Sequence, residues 1–446
     1  MSRYALYYIR LALIKTGNAM KNSCLMSLFP GLFLLTIFSC DVIDTQSDEG
    51  ESEVFERREL PRELSSSEQQ LVDGSGAFGF ELMKLITDSH SGKNHFISPI
   101  SISLAYGMLL NGADRETFVQ ISEVLGIDEL DRNEINEAAY NLITLMQEFD
   151  DQVDFNIANA IWYRDTFDVE HDFLSANQQF YDAVVEKADF SDPATVDEIN
   201  SWVKNKTEGL IDSIVEEPID PLTVMYLINA IYFNGDWTYP FDPDLTSAKP
   251  FFLADGTESE ADMMQLEATE NMEHYSGQDY QAVNLYYGDA GFVMTLVLPD
   301  ADVNVEQWLK QMDWEEWKHL TDSFNRVTLE LEIPKFEKEY EVEDFPELLE
   351  SMGMVNAFDP SLSDFSLINP DQKDLFVSDS RHKTFISLDE EGTEAAAVTS
   401  VEISTTSAPQ HVQLRLDRPF FYMIREVETN TPLFMGITND PSDSRD

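Results

Sequence analysis

Two stretches of almost unbroken apolar sequence limit what this chain can become: Leu222 to Phe233, broken by Asn229, and Phe292 to Leu298. Short, bulky apolar runs of this kind read as strands covered on both faces, so the fold needs layers above and below them. An amide inside such a strand needs hydrogen-bond partners, because leaving it unpaired costs about 1–3 kcal/mol.

The remaining periodicities fill in those layers. Val327, Leu329, Leu331 and Ile333 alternate with Thr328, Glu330 and Glu332, as in a strand with one wet face. Phe155 to Tyr163 reads as a further buried strand, and Pro419 to Val427 with Leu433 to Thr438 as a final hairpin-like pair. Helical spacing appears at Phe78, Leu82, Leu85 and Ile86, and at Leu104, Met108 and Leu109 after Ser98-Pro99, with Gly112 as a stop. It returns at Ile199, Trp202 and Val203 and over Phe345 to Met352. Helices early and strands late define an α+β class with large, mainly antiparallel sheets. No Pro/Gly/Ser-rich linker divides the chain after its first seventy or so residues, so residues 69–446 are expected to form one domain.

The chain carries 28 Lys and Arg against 84 Asp and Glu, a formal net charge of -56. Nucleic acid and anionic headgroups would be repelled. Acids spread along the whole chain read as a solvated surface suited to high salt, and an ordinary acidic secreted protein is the alternative. The two cysteines, Cys24 and Cys40, both precede the domain, so no disulfide framework is expected in its body. Leu25 to Phe38 suits the hydrophobic region of a signal peptide, and Ile37-Phe38-Ser39-Cys40 resembles a bacterial lipobox. On that reading residues 1–39 are a leader, with Met20 as an alternative start, and Cys40 becomes the lipidated N-terminus at the cell envelope. A plain secretory signal is the alternative. Residues 40–68, acidic and almost without aromatics, read as a disordered tether.

A search for catalytic machinery yields no nucleophile elbow, HExxH pair, phosphate-binding loop or dinucleotide turn. The seven histidines are scattered, and no metal or cofactor is expected. The distinctive stretch is instead Glu390 to His411. Glu390, Glu391 and Gly392 form a polar hinge, after which Thr393, Ala395, Ala397, Thr399, Val401 and Ile403 share one parity, opposite Glu394, Ala396, Val398, Ser400, Glu402 and Ser404. Both carboxylates fall on one face, as a half-buried strand requires. A permanent strand, or a helix nucleated by Glu394 and the alanines, is equally compatible with the local pattern.

This segment, with HKTFISLDEEGTEAAA leading into it and DRPFFYMI following, resembles the hinge and reactive-centre loop of the serpins. FISPISISLAYGMLLNGA from Phe96, LINAIYFNGDWTYPFD from Leu227, IPKF from Ile333 and TPLFMGITNDP from Thr431 resemble further signatures of the family, in its order, over roughly Ser65 to Pro441. The resemblance implies a serpin fold, with a large central sheet, further sheets, surrounding helices and an exposed loop. It also assigns roles to residues. Ser98, Ser101, Asn229 and His382 match the cluster beneath the central sheet that controls its parting. Trp237 matches the tryptophan at the top of that sheet, and Glu390 with Lys335 matches an ion pair at the same end.

The mechanism implied is suicide inhibition of a serine protease. The protease forms its acyl-enzyme on the loop, and the cut loop, whose hinge is Glu390, Glu391, Gly392, Thr393, Glu394, Ala395, Ala396 and Ala397, then enters the sheet as a new strand. The protein would thus be no enzyme but the covalent partner of one, acting as a monomer. The scissile bond is expected at Thr406-Ser407, with Thr405-Thr406 and Ser407-Ala408 as neighbours; Ala408-Pro409, reached by counting back from Arg418-Pro419-Phe420, is disfavoured by the proline. No Lys, Arg or aromatic residue lies between Thr393 and Gln410, which points to elastase-like or subtilisin-like targets. The alternatives are a non-inhibitory binding protein of the same fold and an unrecognised hydrolase.

Overall fold

The computed structural model describes residues 57–392 and 410–443. The expected leader, Cys40, the hinge residues Thr393, Glu394, Ala395, Ala396 and Ala397, and the bond Thr406-Ser407 lie outside the described residues.

The first helix, α1 (Ser66–Ser89), begins earlier than expected. Its N-cap Ser65 accepts from the Glu68 N–H while the Glu68 carboxylate accepts from the Ser65 N–H, a reciprocal capping box. Glu68, expected to end the tether, is therefore buried in the first helical turn, and the ordered body already includes Arg57 to Leu64. Close approach shapes this helix too: a Cβ on Gly74 would lie 2.4 Å from the Leu125 carbonyl oxygen.

The elements then follow as β1 (His95–Ile97), α2 (Pro99–Leu110), α3 (Arg115–Val124), α4 (Arg132–Phe149), β2 (Val153–Arg164), α5 (His171–Phe180), β3 (Val184–Ala188), α6 (Ala194–Lys206) and β4 (Met225–Gly235). The second half is strand-rich: β5 (Ser247–Phe252), β6 (Glu258–Ser276), β7 (Tyr280–Tyr287), β8 (Phe292–Pro299), α7 (Val305–Leu309), α8 (Trp314–Thr321), β9 (Asn325–Pro334) and β10 (Phe336–Glu341). It closes with α9 (Phe345–Met352), α10 (Val355–Phe358), β11 (Lys383–Leu388), β12 (His411–Arg415), β13 (Phe420–Glu426) and β14 (Pro432–Thr438). The class is α+β, as expected. The apolar run from Leu222 enters its strand only at Met225, and Leu222 itself is 80% exposed.

Among the described residues, nine strands form the largest sheet, in the order β1-β14-β13-β8-β7-β6-β9-β12 with β5 paired to β6. Its ladders are antiparallel except β9 with β12. In β9 the expected alternation holds, with Val327, Leu329, Leu331 and Ile333 buried and Thr328, Glu330 and Glu332 half-buried.

The remaining strands form a sheet divided in two. β3, β2 and β4 form one three-stranded piece, β10 and β11 a two-stranded one, and no strand ladder joins β4 to β11 among the described residues. α2 packs against β4 and β14, between this divided sheet and the larger one. That placement explains its sequence: with layers on both sides, nearly every residue of α2 is buried, and its first turn is capped by Ser98 and opened by Pro99.

Candidate functional site

Among the described residues, backbone hydrogen bonds cross between the end of β4 and the end of β11 at one end of the gap. There the Trp237 N–H donates to the Glu391 carbonyl at 2.8 Å and the Phe241 N–H to the Glu390 carbonyl at 2.8 Å. Asp236 and Gly392 form an isolated antiparallel bridge. Gly392 takes a φ of 154°, and a Cβ there would sit 2.2 Å from the Gly235 carbonyl oxygen, so only glycine fits this crossing. Asp389 sets up the bend by accepting from the Glu391 and Gly392 N–H groups at 3.0 and 3.2 Å.

Trp237 fills this corner. Its ring stacks on Tyr287 with centroids 4.3 Å apart, and its Nε1 donates to the Asp389 carbonyl at 3.0 Å. Glu390, only 8% exposed, receives Lys335 Nζ at 2.7 Å on one carboxylate oxygen and Thr246 Oγ1 at 2.7 Å on the other. Burial alone would push this carboxyl up, but the hydrogen bonds from Lys335 and Thr246 outweigh it and hold it below its ordinary value. The structure thus brings Trp237, Lys335, Glu390, Glu391 and Gly392 together at the point where the chain leaves toward Thr393.

Further along the gap lies a buried polar chain. Ser98 Oγ donates to the Leu433 carbonyl at 2.6 Å and accepts from the Ser101 N–H at 3.3 Å, while the Ser98 N–H donates to His382 Nε2 at 2.9 Å. Ser101 Oγ donates to Asn229 Oδ1, and Asn229 Nδ2 donates to Asn159 Oδ1 at 2.7 Å. Asn159 Nδ2 ends the chain on the Tyr181 carbonyl at 2.7 Å. All four residues singled out by sequence are connected. The partner demanded for the Asn229 amide is Asn159, 2% exposed, which the sequence reading passed over. An amide inside the apolar stretch Phe155 to Tyr163 was the available signal.

Burial drives the His382 imidazole down to about 3, so it is neutral and accepts from the Ser98 N–H. The chain links α2, β2, β4, the His382 end of β11 and β14, so parting the gap must rearrange it. Apolar side chains surround this stretch of the gap, among them Phe96, Ile231, Phe233, Phe385, Ile386 and Phe434. A surface like this accepts small or apolar side chains and penalises charge by several kcal/mol.

The geometry has counterparts in known proteins. The profile of the family described as Serpin (serine protease inhibitor) matches residues 73–441. Human Serpin B8 is 31% identical over 378 residues, covering 83% of this chain and 99% of its own. Iripin-2 of Ixodes ricinus is 31% identical over 380 residues, covering 84% of this chain and 94% of its own. Among solved structures, the thermophilic serpin tengpin in its native state superposes with a TM-score of 0.75 at 32% identity, covering 85% of this chain and 95% of that one. Human thyroxine-binding globulin does so with a TM-score of 0.76 at 28% identity, covering 84% of this chain and 100% of that one.

Proposed function

The chain belongs to the serpin family, and on that premise we propose that it inhibits serine proteases by offering its loop as a substrate and then inserting the cut loop into the gap between β4 and β11. Serpins are typically non-enzymatic protease inhibitors, in keeping with a sequence that carries no recognised catalytic constellation. The observation that carries the proposal is the gap itself, unladdered and lined by apolar side chains, with the loop departing from its closed end at Gly392.

In the proposed reaction the protease serine attacks the Thr406 carbonyl. The Ser407 nitrogen leaves as an amine carrying the proton, and the Thr406 acyl group stays esterified to the protease. The freed strand from Thr393 then enters the gap, the native fold having held this lower-energy pairing in reserve. The parity Thr393, Ala395, Ala397 suits the apolar floor, while Glu394 and Glu402 face the other way. Elastase-like proteases are the proposed targets, subtilisin-like ones second.

The first residues support a lipid-anchored reading: a leader over residues 1–39, lipidation at Cys40, and a monomeric, salt-adapted inhibitor held at the bacterial envelope. Without lipidation it would be secreted. The alternative of a serpin-fold binding protein, the kind that the name thyroxine-binding globulin describes, is disfavoured by the small-residue hinge.

Incubation with an elastase-like protease and denaturing electrophoresis test the proposal. A band at the summed mass supports trapping. A nicked chain alone would leave a mere substrate, and steady turnover of an unrelated ester would point to a hydrolase.

A further inference from the structure

The segment from Arg57 to Leu64 precedes α1, and its three arginines each meet a carboxylate of the folded body. Arg57 Nη2 reaches both oxygens of Glu273 on β6, at 2.8 and 2.9 Å, and its Nε donates to the Tyr286 hydroxyl at 3.1 Å. The Glu273 side chain is only 7% exposed. Its carboxylate also accepts from Tyr286 Oη at 2.5 Å and from Asn284 Nδ2 at 2.8 Å. Arg58 sits among Asp289, Asp151 and Asp150 at 3.1, 3.3 and 3.9 Å, and its backbone N–H points to the Ala290 carbonyl at 3.4 Å. Arg62 pairs with Glu68 at 2.7 Å, and Leu60 and Leu64 pack against the core.

The bodies joined by Arg58 matter more than the pairs themselves. Asp150 and Asp151 form the corner that starts β2, where Val153 makes the last register pair with Gly235 of β4. Asp289 lies in the turn of the β7–β8 hairpin, in the larger sheet. That turn grips the end of β4: the Gly288 N–H donates to the Asp236 carbonyl at 2.9 Å, the Thr238 N–H to the Tyr286 carbonyl at 2.8 Å, and Thr238 Oγ1 to the Gly288 carbonyl at 2.9 Å. Widening the gap requires the three-stranded sheet to move against the larger one. Arg58 spans that boundary, between the β2 corner and the β7–β8 turn, while Arg57 fastens the same segment to β6 and β7 of the larger sheet.

We infer that Arg57 and Arg58 form a strap, Arg57 anchored on β6 and β7 and Arg58 tying the β2 corner to the β7–β8 turn, that slows the opening of the gap between β4 and β11. Cleavage or release of the strap would then speed the opening of uncut protein. The consequence for inhibition rests on the loop-insertion reading above, but the strap itself is a statement about sheet motion and is tested without protease.

The test uses the full chain with Arg57→Ala/Arg58→Ala, and a second variant, Asp151→Asn/Asp289→Asn, which removes exposed partners of Arg58 and leaves the core untouched. Hydrogen exchange of the Val153, Gly235 and Trp237 amides should quicken by about tenfold in the arginine variant, equivalent to about 1.4 kcal/mol, and by less in the second. Uncut arginine variant should also accumulate a heat-resistant form faster than wild type. Unchanged exchange in a folded arginine variant overturns the strap. Faster exchange in a protein that traps no protease would leave the strap standing and remove the inhibitor reading instead.

Discussion

Trp237 and Asp389 are tied by a 3.0 Å hydrogen bond from the indole Nε1 to the backbone carbonyl, so the side chain that stacks on Tyr287 also bridges the closed end of the gap. Glu390 reinforces the same crossing through Lys335 and Thr246.

Glu390→Gln should therefore loosen the hinge without unfolding the protein. The Lys335 side chain is 45% exposed, so the pair is screened, and its loss should cost about 1 kcal/mol in a urea titration. Because the Glu390 carboxyl is held low, its contribution is present above the ordinary value of 4.5 and fades as pH falls below it. A double-mutant cycle with Lys335→Met that gives no coupling would leave the ion pair without a role.

Acid should weaken the fold through buried histidine. The ring of His382 is neutral in folded and unfolded protein at pH 7. Between 6.5 and about 3 only the unfolded chain takes up the proton. Stability therefore drops by about 1.4 kcal/mol per pH unit within that window. His95, which burial lowers to about 4, adds a second slope over its own range. Urea midpoints measured from pH 7 to 5 should show a shallower decline for His382→Gln than for wild type, and parallel declines would contradict the assignment.

Thr393→Arg places a charge on the parity that insertion buries, so this variant should be cut as a substrate and trap little protease. Undiminished trapping would show the register to be wrong. In the wild-type complex, mass spectrometry of the released C-terminal fragment should find Ser407 at its start. A fragment beginning at Pro409 would favour the backward count, and strong trapping of trypsin would sink the proposed specificity.

Cys40→Ala should release the protein from membranes or leave its leader uncleaved, and wild-type protein with a free, unmodified N-terminus would count against lipidation. With a net charge of -56, the melting temperature should fall as salt is withdrawn and the screening length grows past about 10 Å. A melting temperature indifferent to salt would remove the halophilic reading.

The sequence by itself determined whatever depends on local period and spacing. The alternation in β9, the buried strands, the helix that starts near Pro99 and the hinge glycine all follow from residues close in the chain, because side-chain direction repeats every two or 3.6 residues. The family signatures added the polar cluster and the hinge ion pair. Only the tertiary structure decided what those residues meet. Asn229 finds Asn159 at a sequence separation of 70, and Arg57 finds Glu273 at a separation of 216. Neither pairing leaves a periodic trace, since a polar residue reads the same in sequence whether its partner is water or a distant side chain. The gap between β4 and β11 was equally invisible, for strand propensity says which segments are extended but not which edges remain unpaired.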